Sequence, residues 1–159
     1  MALYIRSGKG YAEAPAAVVL DHARILLAEA FRPGAPVLGS PGVVEAFLAS
    51  KLSTREHEVF GVILLNAQHR LIAYEELFNG SIDSVNVHIR EVVKAALKHN
   101  AVSVILVHNH PGGTAEPSLA DIALTRRVKS AMWMVEIRLL DHIIVGETIT
   151  SFAKRGVSM

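Results

Sequence analysis

Two histidines and one aspartate stand at a spacing that can bring three metal ligands to one point. His108 and His110 end an apolar run, and residues two positions apart on a strand point to the same face. A Pro-Gly-Gly turn follows, and Ser118 then opens a helical segment with Asp121 in its first turn. Two neutral imidazoles and a carboxylate leave the fourth position of a tetrahedral zinc to water, as in catalytic zinc sites. Zinc lowers the pKa of that water from about 15.7 to about 7, which supplies a nucleophile at neutral pH.

The same residues also have purely structural interpretations. His108 and His110 could be two strand-end histidines that face solvent. Ser118 precedes a helix and could act only as its N-cap. Asp121 could be an acidic first-turn residue that complements the helix dipole. The combined spacing favours ligation by the two histidines and the aspartate, and an N-cap role of Ser118 is compatible with a second role in catalysis.

Strand and helix patterns alternate along the chain, which predicts an α/β domain with a mixed sheet covered by helices. Segment 59–65 is β-branched and apolar, and segment 70–78 returns as a second strand, so the two form a hairpin through 66–69. Segment 102–108 has almost no polar residue, which indicates a strand buried on both faces. The other predicted elements are helices over 16–31, 41–52, 87–100 and 118–132, a strand over 137–146 and a short last strand over 147–153.

Some boundaries carry specific signals. Ser40 is a natural N-cap and Pro41 a natural first helical residue, and Asn100 suits the C-terminal end of a helix. Residues 1–12 have no such pattern and are predicted to be a flexible lead. We therefore predict an N-terminal extension with one helix over 1–38 and a single domain over 39–159.

Composition limits the class of protein. Of 159 residues, 51% are hydrophobic and 19% are charged, which is typical of a globular chain. The chain has no cysteine, which excludes disulfides and thiolate metal sites and fits a cytoplasmic protein. The sequence has no run of about 18 apolar residues and no secretion signal, so we expect no interaction with a membrane. A net charge of +1 gives no support for nucleic-acid binding, and the oligomeric state is not predicted.

The histidine stretch resembles the JAMM signature of JAB/MPN-type zinc metallopeptidases. That signature reads His108-x-His110, seven residues, Ser118, two residues, Asp121. More narrowly, the chain is similar to the RadC family, the group also called UPF0758. The stretches that carry the similarity are SPGVVEAFL, EHEVFGVILLNAQHRLIAYEELFNGSI, REVVKAALKHNAVSVILVHNHPGG, EPSLADIALTRR and LLDHIIVG. The resemblance implies a cytidine-deaminase-like, three-layer αβα sandwich with a mixed central sheet over 39–159, one Zn²⁺ and hydrolase activity.

The resemblance also implies roles for two further residues. Glu58 lies in a segment of the form Glu-x-x-Gly-x-aliphatic-aliphatic and would take a proton from the attacking water and pass it to the leaving amine. We prefer Glu58 to the other nearby glutamates because Gly61, three residues later, would allow the backbone to approach the substrate closely. Ser118 would donate a hydrogen bond to the developing oxyanion. The family usually has Pro-Ser-Gly after the second histidine, where this chain has Pro-Gly-Gly.

Four other features are ambiguous. Asp141 and His142 lie in a predicted buried strand, where the carboxylate could orient a ligating imidazole or the two could form a polar pair in the core. Trp133 is more typical of a core or an interface patch than of a substrate pocket. The Arg126–Arg127 pair is more typical of a solvated helix face than of a phosphate site. The remaining histidines are interpreted as surface residues; they are His22, His57, His69, His88 and His99.

The sequence thus predicts a zinc-dependent metallopeptidase that cleaves peptide or isopeptide bonds in a peptide or protein substrate. The alternative is an accessory protein of DNA repair with a structural or vestigial zinc site, as the historical label of the RadC group suggests. Near-neutral charge does not favour a nucleic-acid partner, and residues 1–38 lack a helix-hairpin-helix pattern. A zinc deaminase is excluded because its cysteine ligands have no counterpart in this chain.

Overall fold

A computed structural model describes residues 4–7, 10–30, 41–81 and 86–157. Strands and helices alternate through most of this part of the chain, as predicted. The elements in order are β1 (Tyr4–Ser7), β2 (Gly10–Glu13), α1 (Ala16–Ala30), α2 (Pro41–Leu52), β3 (Val59–Leu65), β4 (Leu71–Asn79), α3 (Ile89–Lys98), β5 (Ser103–Asn109), α4 (Leu119–Met134), β6 (Arg138–Val145), β7 (Ile149–Ser151) and α5 (Phe152–Arg155). None of the described helices combines the length and apolarity needed to cross a bilayer.

The main sheet has five strands in the order β4-β3-β5-β6-β7. β3 and β4 form the predicted hairpin, and β3 also pairs with β5 in an antiparallel sense. β5 and β6 are parallel and are connected through α4, whereas β6 and β7 are antiparallel. The sheet is therefore mixed, and the carboxyl end of β5 leads directly towards the first turn of α4. This is the edge of an α/β sheet at which sites commonly form.

Helices cover both faces of this sheet. Val92 of α3 and Val128 of α4 belong to a core with Leu106 of β5, whereas Leu48 of α2 belongs to a second core with Val107 of β5. These are the three layers that the sequence predicts, and the αβα fold is confirmed. Because side chains alternate along β5, its even-numbered residues face α3 and α4. The same alternation directs residue 108 towards α4.

The N-terminal residues differ from the prediction. Tyr4 pairs with Glu13 and Ile5 with Ala12, so β1 and β2 form a two-stranded hairpin. The prediction of a flexible lead over 1–12 is therefore wrong for 4–7 and 10–12. The signal was missed because the strands are short and their turn has no Asn-Gly pair. The predicted cap at Ser40 lies outside the described residues, while Pro41 is the first residue of α2.

Local hydrogen bonds explain three element ends. The Asn66 carboxamide oxygen accepts from the backbone N–H groups of Gln68 and Arg70, which closes the β3–β4 turn. Asn100 has a left-handed φ of 51° after the end of α3, as its predicted role as a helix stop requires. The predicted strand over 147–153 is shorter, because Ser151 caps α5 by accepting from the N–H of Lys154.

Two side-chain predictions also need correction. His99 is half-buried rather than a surface residue, and its ring lies 2.6 Å from a carboxylate oxygen of Glu75. Gly61 does not leave room for a substrate. A Cβ at Gly61 would lie 2.8 Å from the carbonyl oxygen of Glu75 and 3.2 Å from the ring of Tyr74, where β3 and β4 shift register. Gly61 therefore lets two strands approach each other, on the face of the sheet opposite Phe60.

Because the atom nearest to a methyl group at this position is a backbone carbonyl oxygen, which cannot turn away as a side chain can, we expect Gly61→Ala to destabilise the fold. The free energy of unfolding should fall by about 1–3 kcal/mol, the usual cost of overpacking. Urea denaturation followed by circular dichroism measures this difference. Gly112→Ala is the control, since a Cβ there would meet no atom within 4 Å. Equal midpoints for Gly61→Ala and the control would contradict the assigned role of Gly61.

Candidate metal centre

Three candidate ligands converge between the end of β5 and the first turn of α4. Nε2 of His108 lies 2.9 Å from Nε2 of His110 and 3.2 Å from Oδ1 of Asp121. Nε2 of His110 lies 3.6 Å from Oδ2 of Asp121. In a tetrahedral site with zinc bonds of about 2.0–2.1 Å, neighbouring ligand atoms are about 3.3 Å apart. These distances bracket that value, so the group could hold a metal ion.

The loop after β5 orients the ring of His110. Nδ1 of His110 lies 2.8 Å from the carbonyl oxygen of Thr114, which can only accept a hydrogen bond. The proton of the neutral ring is therefore on Nδ1, and the lone pair of Nε2 is directed at His108 and Asp121. Such a lone pair beside a second imidazole and a carboxylate is the donor set that zinc prefers.

Two glycines allow this loop to fold. Gly113 has a φ of 91°, and its carbonyl oxygen accepts from the N–H of Glu147 at 2.6 Å. A Cβ at Gly146 would collide with that same carbonyl oxygen. The Pro-Gly-Gly turn is therefore packed against the end of β6, and its position fixes the carbonyl of Thr114 beside His110.

Ser118 holds the third candidate ligand. Its N–H and its hydroxyl both donate to Oδ2 of Asp121, at 2.8 and 2.6 Å, and its Oγ accepts from the N–H of Asp121. The two residues thus form a capping box at the start of α4, which confirms Ser118 as an N-cap. Burial alone would raise the pKa of Asp121, but its contact with His108 and its hydrogen bonds from Ser118 lower it well below its usual value. The carboxylate is therefore ionised and available to a cation.

The candidate ligands form part of the floor of an open cleft of about 720 Å³. Glu58, only 8% exposed, lies on the cleft wall directly before β3. Phe60, Val87 and Leu124 give the cleft an apolar side, and Arg127 lies on the same wall of α4 as Leu124. The cleft therefore combines a buried carboxylate, a possible metal site and an apolar surface within one space.

Asn109 fixes the backbone on both sides of Glu58. Its side-chain oxygen accepts from the N–H of Val59 at 2.8 Å, and its side-chain nitrogen donates to the carbonyl of His57 at 3.1 Å. Glu58 itself is paired through its backbone with Ser81 and Gly80. The residue next to His108 in sequence thus positions the segment that carries Glu58, and the two parts of the site are mechanically connected.

Asp141 and His142 face opposite sides of β6, and the Asp141 carboxylate meets the backbone of His142 rather than its ring: Oδ1 accepts from the N–H of His142 at 2.7 Å. Asp141 accepts hydrogen bonds from the hydroxyl of Ser151 at 2.5 Å and from the N–H of Ala153 at 2.9 Å. The interpretation that its carboxylate orients a ligating imidazole is therefore wrong. Neighbouring residues on a strand point to opposite faces, so only one of the two could reach the site.

His142 is the member that reaches the site. Its Nε2 lies 2.8 Å from Nδ1 of His108, and its Nδ1 lies 2.6 Å from Oγ1 of Thr125. His142 is fully buried between Phe60 and Phe152. Burial, followed by the proximity of His108, lowers the pKa of His142 well below its ordinary value. The ring is therefore neutral at physiological pH.

Sequence reasoning missed Thr125, Asn109 and Arg127. Thr125 lies four residues after Asp121, on the same helical face, and this spacing was an available signal. Asn109 stands between the two histidines, and the local sequence carries no signal for its contacts with His57 and Val59. Arg127 is exposed, as its interpretation as part of a solvated face requires, and in addition it lines the cleft.

Comparison with known proteins identifies the family of the chain. Residues 38–157 match the family model described as a RadC-like JAB domain. A UPF0758 protein of Thioalkalivibrio sulfidiphilus is 50% identical over 139 residues, which is 87% of this chain and 62% of that protein. A UPF0758 protein of Saccharophagus degradans is 55% identical over 120 residues, or 75% of this chain and 54% of that protein.

A third relative, from Marinobacter nauticus, is 49% identical over 148 residues, which is 92% of this chain and 65% of that protein. The chain thus spans just over half to about two thirds of the length of these relatives. The match to the family model covers most of the chain and includes every element from α2 to α5. The chain therefore belongs to the RadC-like JAB domain family, as its sequence resemblance predicted.

Proposed function

We propose that this protein is a zinc-dependent hydrolase that cleaves peptide or isopeptide bonds. The observation that carries the proposal is the convergence of two imidazole nitrogens and an ionised carboxylate on the floor of an open cleft. His108, His110 and Asp121 would hold Zn²⁺. When bound there, zinc would polarise the scissile carbonyl and make a water molecule acidic enough to attack it.

The residues of the chain would perform the proton transfers. Glu58 is buried on the cleft wall and held by the backbone contacts described above, so it can accept the proton of the attacking water and deliver it to the leaving amine. Ser118 would donate a hydrogen bond to the oxygen that becomes negative. Its hydroxyl now donates to Asp121, so this role requires the hydroxyl to turn by one rotamer into the cleft.

An open site fits hydrolysis better than a structural metal. The group found among the described residues contains three ligands, and a closed structural zinc site has four protein ligands. The apolar side formed by Phe60, Val87 and Leu124 suits the side chains of a peptide or protein substrate. Among the described residues that line the cleft, the charge is not one that favours a nucleic acid: one arginine, Arg127, stands beside two acidic groups, Glu58 and Asp121.

The metal assignment predicts one zinc per chain. The purified protein should contain about one equivalent of zinc, and His108→Ala or Asp121→Ala should each remove it, because two remaining ligands hold zinc poorly. Inductively coupled plasma mass spectrometry and calorimetric titration measure content and affinity. His22→Ala, an exposed residue of α1, is the matched control. Full zinc content in both ligand variants would contradict the assignment.

The role of Glu58 predicts a separation of binding from turnover. Glu58→Gln keeps the size of the side chain but cannot accept a proton, so zinc content should be unchanged while kcat falls by about 10²-fold or more. A peptide-library screen with and without chelator identifies the substrate for this measurement. Glu56→Gln, an exposed neighbour, should retain full activity. Normal turnover by Glu58→Gln would show that another group accepts the proton.

Ser118 has a structural role in addition to its proposed catalytic one. Loss of the cap in Ser118→Ala should cost about 0.5–2 kcal/mol of folding stability. Loss of an oxyanion donor should also lower kcat by about 10²–10³ at a temperature where the variant is fully folded. Thermal denaturation and steady-state kinetics separate the two effects. A stability loss without a change in kcat would restrict Ser118 to its role as an N-cap.

A further inference from the structure

The ring of His108 has a second nitrogen, which faces away from the other candidate ligands. This Nδ1 lies 2.8 Å from Nε2 of His142, and Nδ1 of His142 lies 2.6 Å from Oγ1 of Thr125. Oγ1 of Thr125 in turn lies 2.6 Å from the backbone carbonyl oxygen of Asp121. Three hydrogen bonds thus connect the ring of one candidate ligand to the backbone of another.

The backbone carbonyl of Asp121 determines which atom is the donor in each of these hydrogen bonds. A carbonyl oxygen can only accept a hydrogen bond, and a threonine hydroxyl has a single proton. Thr125 therefore donates to Asp121 and must accept from His142. The proton on the ring of His142 is consequently on Nδ1, whichever state His108 adopts.

Metal binding by His108 requires the same donors and acceptors. A nitrogen that ligates a metal has no proton, so a His108 that ligates through Nε2 carries its proton on Nδ1. That Nδ1–H faces Nε2 of His142. Nε2 of His142 must therefore be unprotonated, so that its lone pair can accept this hydrogen bond. Each hydrogen bond then points from His108 through His142 and Thr125 to Asp121, and none of the three has two donors or two acceptors.

We propose that His142 and Thr125 are positioning residues that hold His108 in the tautomer required for metal binding. This inference rests on the proposed zinc site. The three residues are 1% exposed or less, so water cannot replace a missing partner. The series also joins β5 and β6 to α4, and thereby couples the ring of His108 to the helix that carries Asp121.

Loss of the Thr125 hydroxyl has a specific consequence. The proton of His142 is then free to move to Nε2, where it faces the Nδ1–H of His108. Two donors at 2.8 Å repel each other, so the proton of His108 moves to Nε2 and occupies the position at which a metal would bind. Thr125 thus acts on the metal site through His142 without touching a metal itself.

The experiment compares Thr125→Val with Thr125→Ser. Valine has nearly the same shape but lacks the hydroxyl, whereas serine keeps it. The zinc dissociation constant, measured by competition with a chromophoric chelator, should rise by about 10- to 100-fold for valine and stay near the wild-type value for serine. Ser103→Ala is the control, because it removes a buried hydroxyl that has no hydrogen-bond partner among the described residues.

A second measurement reports the tautomers directly. In the zinc-loaded wild-type protein, ¹⁵N chemical shifts of the imidazole rings should show the proton of both His108 and His142 on Nδ1. Thr125→Val should lose this pattern at His142. If the role of Thr125 were purely structural, Thr125→Val would lower the melting temperature of the metal-free protein. Such a role would not explain a difference in zinc affinity between the valine and serine variants, nor the ¹⁵N shifts of the wild-type protein.

The outcomes separate this inference from the proposed function. If the wild-type protein binds zinc and the valine and serine variants bind it equally well, the positioning role is overturned and the hydrolase proposal stands. A proton on Nε2 of either ring in the loaded wild-type protein overturns it too, even if Thr125→Val does not fold. If the wild-type protein binds no zinc, the proposed function itself fails.

Discussion

Two imidazole nitrogens lie 2.9 Å apart at the end of β5, and the Asp121 carboxylate lies 3.2 Å from one of them and 3.6 Å from the other. The organisation of the site follows from this proximity. Lone pairs and negative charge at such distances in a half-buried place are stable only when a proton or a cation lies between them. The fold must therefore hold the three groups together against their own repulsion. The hydrogen bonds behind each ligand provide that restraint: Thr114 for His110, His142 for His108, and Ser118 for Asp121.

These restraints come from different elements, which explains why the site lies where it does. β5 supplies His108, and His110 follows directly after the last residue of β5. The turn after β5 supplies the carbonyl of Thr114, and the first turn of α4 supplies the capping box. Parallel strands need a crossover, and α4 is that crossover between β5 and β6. The βαβ connection therefore brings a strand end, a turn and a helix start to one point without any additional segment.

The sequence predicts those features that depend on local spacing. These features follow from the periodicity of apolar residues and from the separation of residues along the chain. They are the hairpin, the buried strand, the helix over α4 and the convergence of His108 with Asp121. The restraints behind the ligands could not be predicted in the same way, because Thr125 meets His142 across 17 residues and Asn109 meets His57 across 52. Asp141 was misassigned because nothing local decided which member of the pair faced the site.

Under the proposed function, the metal ligands and the surface that selects a substrate belong to different parts of the site. The ligands and their restraints are mutually connected, so a change in any of them disturbs several hydrogen bonds at once. The cleft wall is different: Ala120, Leu124 and Arg127 follow one another on one face of α4 and contribute side chains to the cleft. A substitution on this face alters the shape or charge presented to a substrate while leaving the capping box and the ring of His108 in place. Specificity can therefore change along α4 independently of metal binding, because the helix is held at its start by Ser118 and along its inner face by Val128 and Met132.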